Sequence, residues 1–210
     1  MTDVDGSDHA DGAGHYFSER PATGSRPSTV RFELTGRTVE VRTDRGVFSA
    51  TRLDPGTRVL LDSLDGLDDL PDGDLVDVGC GWGPLALSLA ELAPGRRVVA
   101  VDVNERARAL CAENASLAGL DVVVRDPDDL PDDLRVAGIV SNPPIRVGKA
   151  VLHQLLTDWL ARLVPGGTAW LVVQRHLGAD SLADWLAGQG WQVTRVRSRK
   201  GYRVLRVGPA

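Results

Sequence analysis

Between residues 75 and 174 the chain alternates short, nearly unbroken apolar runs with segments of helical periodicity. The runs are LVDVG (75–79), VVAVDV (98–103), VVV (122–124), AGIVSN (137–142) and AWLVVQ (169–174). A strand with helices on both faces has no polar side to show, so it reads as a continuous apolar run. Between the runs, Leu85, Leu89 and Leu92 share a helical face, and so do Ala107, Leu110, Cys111 and Asn114 behind an Asn104 cap. Leu152, Leu155, Leu156, Trp159, Leu160 and Leu163 form the clearest amphipathic helix, with Pro165-Gly166-Gly167 as its stop. The pattern demands an α/β fold with a mostly parallel sheet. At 42% hydrophobic and 25% charged over 210 residues, the chain can bury the core this fold needs.

The flanks read differently. Phe32, Leu34, Val39 and Val41 alternate around Thr35-Gly36, which predicts a β-hairpin. A linker follows, then a helix over Arg58–Leu70 with Leu60, Leu64 and Leu67 on its apolar face. Two alternating strands, Trp191–Arg197 and Tyr202–Val207, surround Arg199-Lys200-Gly201 and predict an antiparallel end to the sheet. The expected organisation is a loose tail over 1–14, an extension with a hairpin over 15–57, and the main domain over 58–210. Cys80 and Cys111 are too few for a disulfide scaffold or a zinc site, and no metal is expected. No apolar stretch is long enough for a bilayer, and the acidic start resembles no signal or transit peptide. The expectation is a cytoplasmic monomer.

Two motifs carry chemistry. DVGCGWG (Asp77–Gly83) sits where a strand turns into a helix. Gly79, Gly81 and Gly83 let the backbone turn sharply and a ligand approach closely. Free N–H groups of the next helix face that ligand. The acid-led G-x-G-x-G spacing is the S-adenosylmethionine pattern and not the dinucleotide fingerprint, which opposes a nicotinamide cofactor. Asp102, at the end of the second run, is placed to accept ribose hydroxyls. Val103 follows it in the same cofactor-binding turn, and Cys80 sits in the loop as packing. Asp126, after the third run, either accepts from an adenine amine or lies in a solvated loop with Asp128 and Asp129.

The second motif, Ser141-Asn142-Pro143-Pro144-Ile145, lies at the carboxyl end of the fourth run, where ligands bind in open α/β sheets. The prolines fix two φ angles and remove two donors. That leaves carbonyls and the Asn142 side-chain oxygen to hold an amino group. Trp82 shields the cofactor or simply packs, and Phe48 approaches a ligand or anchors the linker. His153 and His176 are expected to be structural or exposed, so neither serves as a base.

These segments resemble the small-domain class I methyltransferases, the family of the bacterial 16S ribosomal RNA guanine-N2 methyltransferases of the RsmC type. The similarity rests on HYFSERP (His15–Pro21), GVFS (Gly46–Ser49), LDPGT (Leu53–Thr57), DVGCGWG, SNPPIRVGK (Ser141–Lys149), LGADSL (Leu177–Leu182) and KGYRVL (Lys200–Leu205). The resemblance implies a Rossmann-like sheet of seven strands, S-adenosyl-L-methionine as cofactor, and methyl transfer to an exocyclic amine. Guanine N2 of small-subunit ribosomal RNA is the leading target. Other amines, or a non-catalytic RNA-binding role, are the alternatives. It further implies that the amine sits over Asn142, Pro143, Pro144 and Ile145, with Asn142 Oδ1 and the Pro143 carbonyl as acceptors. Cofactor contacts would come from Asp77, Gly79, Cys80, Gly81, Gly83, Asp102, Val103, Asp126 and Asn142, and substrate contacts from Phe48, Arg146 and Lys149. Ile145 stands where many amino-methyltransferases have an aromatic ring, which disfavours DNA adenine and protein glutamine as targets. The longer ribosomal enzymes carry a second, degenerate methyltransferase-like half that this sequence does not show.

Net charge is −5, which argues against bulk nucleic-acid binding, but its distribution is uneven. Leu61–Cys80 holds seven Asp and no Lys or Arg, while Trp191–Ala210 holds six Lys/Arg and no acid. If Arg20–Arg58, also Arg-rich, lies beside that last segment, the fold carries one positive surface; otherwise the arginines are scattered and solvated.

Overall fold

The computed structural model describes residues 23–210. The expected tail over 1–14 and the HYFSERP segment lie outside them. The chain opens with strands β1 (Ser28–Leu34) and β2 (Arg37–Thr43), paired antiparallel as a hairpin with Val30 opposite Val41 and Phe32 opposite Val39. Helix α1 (Pro55–Leu61) follows, and then β3 (Asp74–Val78), α2 (Pro84–Leu92), β4 (Val98–Val101), α3 (Glu105–Ala118) and β5 (Val123–Arg125). The second half runs β6 (Val136–Ser141), α4 (Lys149–Leu160), β7 (Leu163–Gln174), α5 (Ala179–Gly188), β8 (Trp191–Arg199) and β9 (Tyr202–Pro209).

The main sheet has the order β5-β4-β3-β6-β7-β9-β8. Strands β3 to β7 are parallel; β9 runs antiparallel to β7, and β8 to β9. This is the Rossmann-like sheet of seven strands that the resemblance implies, with a separate two-stranded hairpin before it. The order reverses between β4 and β6 at β3, so a crevice opens beyond the carboxyl ends of β3 and β6.

The strands are covered on both faces. Leu75, Val98, Ala100 and Val172 pack against Val59, Leu60, Leu85 and Leu89 of α1 and α2. Val76, Val99, Ile139 and Leu171 pack against Leu152, Leu156 and Trp159 of α4 and Leu182 and Leu186 of α5. A third cluster joins the hairpin (Val30, Phe32, Leu34, Val41) to Trp82, Leu87 and Ala107, so the extension seats on α2 and α3. Asn114 of α3 secures that contact. Its Oδ1 accepts from the Arg42 N–H at 2.7 Å, and its Nδ2 donates to the Arg42 and Trp82 carbonyls at 2.8 Å each. A buried amide with these three bonds ties hairpin, helix and glycine loop together.

Some boundaries depart from the sequence reading. The helix expected over Arg58–Leu70 starts earlier, at Pro55 behind an Asp54 cap, and stops at Leu61. Leu67 is buried from a turn, so periodic leucines there report burial and not helix. Leu92, at the last position of α2, is exposed. The Pro165-Gly166-Gly167 segment does not stop α4, which has already ended at Leu160; it lies within the first residues of strand β7, where the register with β6 shifts. Helix α5 follows positive-φ Gly178 and was not anticipated.

Candidate active site

The DVGCGWG segment turns the end of β3 into α2. Gly79, Gly81 and Gly83 all hold positive φ, at 78°, 55° and 97°. The Gly79 and Cys80 N–H groups both donate to the Val101 carbonyl, at 2.9 and 3.0 Å, which pins the loop to the end of β4. A Cβ added at Gly79 would meet nothing within 4 Å, so the loop backbone is open to a ligand there. At Gly83 it would lie 2.9 Å from Cys111 Sγ, so that glycine serves the packing of α2 on α3.

Asp102 holds the loop from β4. Its Oδ2 accepts from Gly81 N–H and its Oδ1 from Asn104 N–H, each at 2.9 Å. Burial pushes its carboxyl up, and the two amides oppose that shift. Each oxygen keeps a lone pair for a further donor. Asp77 lies beneath the loop, fully buried and not among the residues facing the crevice. Its Oδ2 accepts from Ala86 N–H at 2.9 Å, while Oδ1 has no partner. Burial raises its carboxyl to about 8, the Ala86 bond opposes this, and the Asp102 charge adds to it. Asp126 is not loosely solvated: its Oδ2 pairs with Arg108 at 2.7 Å and its Oδ1 caps a short 3₁₀ turn through Asp128 N–H. The Cys80 thiol is pushed well up by the neighbouring Cys111 and by burial, which makes it inert packing.

The Asn-Pro-Pro turn meets the glycine loop from β6. Ser141 Oγ donates to the Val78 carbonyl at 2.7 Å and so joins the two strand ends. The next side chain, Asn142, donates through Nδ2 to Asp54 Oδ1 at 2.9 Å and to Thr57 Oγ1 at 3.0 Å. One expectation needs correction here. The Pro143 carbonyl is not free, because it accepts from Ile145 N–H at 2.9 Å in an inverse γ-turn about Pro144 (φ −75°, ψ 79°). Only its second lone pair remains.

A crevice between these parts is lined by Phe48, Ser49, Asp54, Thr57, residues 79–82, Pro84, Leu85 and Asn142. Among the described residues, no histidine lines it. An open glycine turn and an amide on the opposite wall line the crevice, and the strand-end acid Asp102 holds the turn through Gly81 N–H; this set of groups fits a nucleoside-bearing cofactor beside an amine.

The profile of the methyltransferase small domain family matches residues 38–206. The chain belongs to this methyltransferase family. It is 37% identical over 196 residues to the uncharacterized protein YbxB of Bacillus subtilis, covering 91% of this chain and 96% of that one. It is 32% identical over 182 residues to ribosomal RNA small subunit methyltransferase C of Shewanella amazonensis, covering 84% of this chain but 51% of that protein. Among solved structures it resembles the T. thermophilus 16S rRNA N2 methyltransferase RsmC, determined with AdoMet and guanosine. There the TM-score is 0.75 at 27% identity, over 90% of this chain and 52% of that one. This chain therefore spans about half the length of the ribosomal RNA methyltransferases it matches.

Within this small-domain frame, several expected residues fall away from the crevice lining, which does not include Asp77, Gly83, Asp102, Asp126, Pro143 or Pro144. Ile145 packs against the α4–α5 side of the core. Arg146 and Lys149 are exposed at and after the 3₁₀ turn that follows the prolines, and Val103 is exposed beyond β4. Phe48 does line the crevice, half exposed. Trp82 lines it too, but mainly packs: it is 2% exposed, meets Phe32 edge-on at 5.6 Å and donates to the Ser49 carbonyl at 3.3 Å. His153 stacks on Trp185 at 3.8 Å, a structural role. The residues not anticipated as site residues are Asp54 and Thr57. An acid before proline with threonine three positions on announces a helix cap, and nothing local to that motif points to Asn142.

Proposed function

We propose that this chain is an S-adenosylmethionine-dependent N-methyltransferase acting on an exocyclic amine, and that the amine is guanine N2 of ribosomal RNA. The observation that carries the reading is the meeting of Asn142 and the glycine loop in one crevice. When bound, the cofactor supplies an activated methyl group on a cationic sulfur. The open turn at Gly79, the spare lone pairs of Asp102 and the half-exposed Phe48 are the groups that would hold it, with Asp126 bracing the rim through Arg108. Asn142 Oδ1 accepts one amine hydrogen, and the other goes to the second lone pair of the Pro143 carbonyl. Holding both hydrogens fixes the direction of the nitrogen lone pair, and such orientation is worth about 7–11 kcal/mol of barrier at best. The proton that the amine sheds on methylation passes to water.

RNA as substrate is supported by a second cleft, of about 410 Å³, lined by Arg31, Phe32, Glu33, Thr38, Leu53, Pro55, Arg58 and Lys200. Pro55 is bonded to Asp54 of the catalytic crevice, so the cleft adjoins it. The Arg-rich hairpin and the basic C-terminal hairpin converge there, as expected if the two basic segments share a face. A strand whose base enters the crevice would lay its phosphates along these cations. Action on RNA would place the protein in the cytoplasm; among the described residues no helix is long and apolar enough to cross a membrane.

The test begins with calorimetric titration of S-adenosylmethionine. Wild type should bind, and Asp102→Ala should weaken binding about 10- to 100-fold, as loss of charge-assisted hydrogen bonds predicts. Mass spectrometry of nucleosides from RNA incubated with enzyme and cofactor should then reveal N2-methylguanosine. Label appearing in another amine would redirect the substrate, and no binding by folded wild type would refute the enzyme reading.

A further inference from the structure

We infer that Asp54 and Thr57 form an amide clamp that sets Asn142 for catalysis, an inference that rests on the transfer reaction proposed above. Both Nδ2 hydrogens of Asn142 are committed, one to the Asp54 carboxylate at 2.9 Å and one to the Thr57 hydroxyl at 3.0 Å. An asparagine amide can flip by half a turn, exchanging oxygen and nitrogen. Here a flip would set Oδ1 against the Asp54 carboxylate, which cannot donate, and replace that bond by a repulsion. The clamp therefore leaves Oδ1 on the side away from Asp54, where no donor among the described residues takes it. A free asparagine would offer a substrate amine either an acceptor or a clashing NH₂; the clamped one offers the acceptor.

The clamp also acts electronically. An amide whose N–H groups donate to an anion carries more negative charge on its oxygen, so Oδ1 becomes a stronger acceptor. Asp54 can do this because α1 is built around it: Oδ1 also accepts the Thr57 N–H at 2.9 Å as the helix cap, which fixes the carboxylate before it meets Asn142. Thr57 is 3% exposed and held in the first turn of the same helix. Gly56, between them, faces the Tyr202 ring: a Cβ there would lie 2.7 Å from it. Tyr202 of β9 thus packs directly on α1 between the two clamp residues. Asp54 and Thr57 are positioning residues, and the group that meets substrate is Asn142.

Two variants separate the clamp from the cap. Asp54→Ser keeps an oxygen for the Thr57 N–H but is too short for Asn142. Thr57→Val keeps shape and cap but removes the second acceptor. Each should melt near wild type and bind S-adenosylmethionine within about twofold, while kcat on RNA falls about 10- to 100-fold at nearly constant KM. Thr57→Ser, which returns the hydroxyl, should restore most of the rate lost in Thr57→Val. Asp54→Ser in an Asn142→Ala background should cost nothing more, because the clamp acts only through that amide. Wild-type kcat in both single variants, or an additive loss in the double variant, would overturn the proposal. The side-chain ¹⁵N–¹H signals of Asn142 report the clamp without any substrate. They should sit downfield in wild type and move upfield in Asp54→Ser; unchanged signals would also overturn it. An inactive wild type with shifting signals would sink the RNA reading and keep the clamp.

Discussion

Asp77 carries an acid where the fold offers one hydrogen bond and no solvent. Its carboxyl is raised to about 8 in the folded chain, against about 3.9 when unfolded. Between those values the folded state holds a proton that the unfolded state has released. Stability from this residue is therefore greatest below pH 4 and is lost progressively as pH rises to about 8. Asp77→Asn keeps an oxygen for the Ala86 N–H and removes the charge. It should raise the melting temperature above pH 8 by an amount worth a few kcal/mol, and have little effect at pH 4. Melting curves across that range check it, and a gain independent of pH would show that charge is not the cause. The buried acid thus sits beneath the glycine loop at a cost in stability, as groups at functional sites often do. The residue's position was legible from DVGCGWG. Its role was not: the sequence suggested a cofactor contact, while the carboxylate reaches the first turn of α2.

At the scale of elements, the glycine loop divides its work between fold and ligand. Gly83 caps α2 at φ 97°, and a side chain there would strike Cys111 of α3. Gly83→Ala should therefore destabilise the protein by about 2–4 kcal/mol, from the left-handed backbone and the overpacked contact together. Gly79 holds φ 78° with open space around its missing Cβ. Gly79→Ala should cost only about 1–2 kcal/mol in stability and lose most of its affinity for S-adenosylmethionine. Paired denaturation and titration curves distinguish the two, and equal losses in both variants would contradict the division. The same scale explains what could be read from sequence. Strands β3, β4 and β6 were legible because burial on both faces makes them continuous apolar runs. Helix α3 was legible because Asn104 caps it, accepting from the Arg106 and Ala107 N–H groups. The end of α1 was not, because Leu64 and Leu67 are packed from turns at near-helical spacing. The clamp was not, because Asp54 and Asn142 are 88 residues apart and come together only through the packing of α1 on β7 and β9. The closed Pro143 carbonyl was missed for a simpler reason: prolines remove donors, but Ile145 has one that folds back.

The whole molecule is acidic, yet its two arginine-rich ends meet. Arg31 and Arg58 come from the N-terminal side and Lys200 from the tip of the β8–β9 hairpin. Glu33 shares the cleft, and Arg31 pairs with Glu40 on the open surface at 2.9 Å, so the cations are partly offset in the free protein. An exposed pair of this kind holds its members weakly, and phosphate can recruit Arg31 at little cost. Edge strand β8 carries Arg195, paired with Asp180 at 2.7 Å, half-buried Arg197, and Arg199, paired with Asp62 at 3.3 Å, and is broken by a register shift between Arg195 and Arg197. Charge and bulge together discourage pairing with another sheet. If the cleft carries the flanks of the target strand, its cations act on binding and not on the transfer itself. Arg31→Gln with Lys200→Gln should raise KM for RNA several-fold. It should also lower the slope of log affinity against log salt by about 1.4, the value for two lost single-strand phosphate contacts. Melting temperature and S-adenosylmethionine affinity should hold, because both side chains are exposed and neither lines the catalytic crevice. A salt slope equal to that of wild type would show that the strand leaves the crevice by another route, with the exposed Arg146 and Lys149 beyond the Asn-Pro-Pro turn the next cations to neutralise.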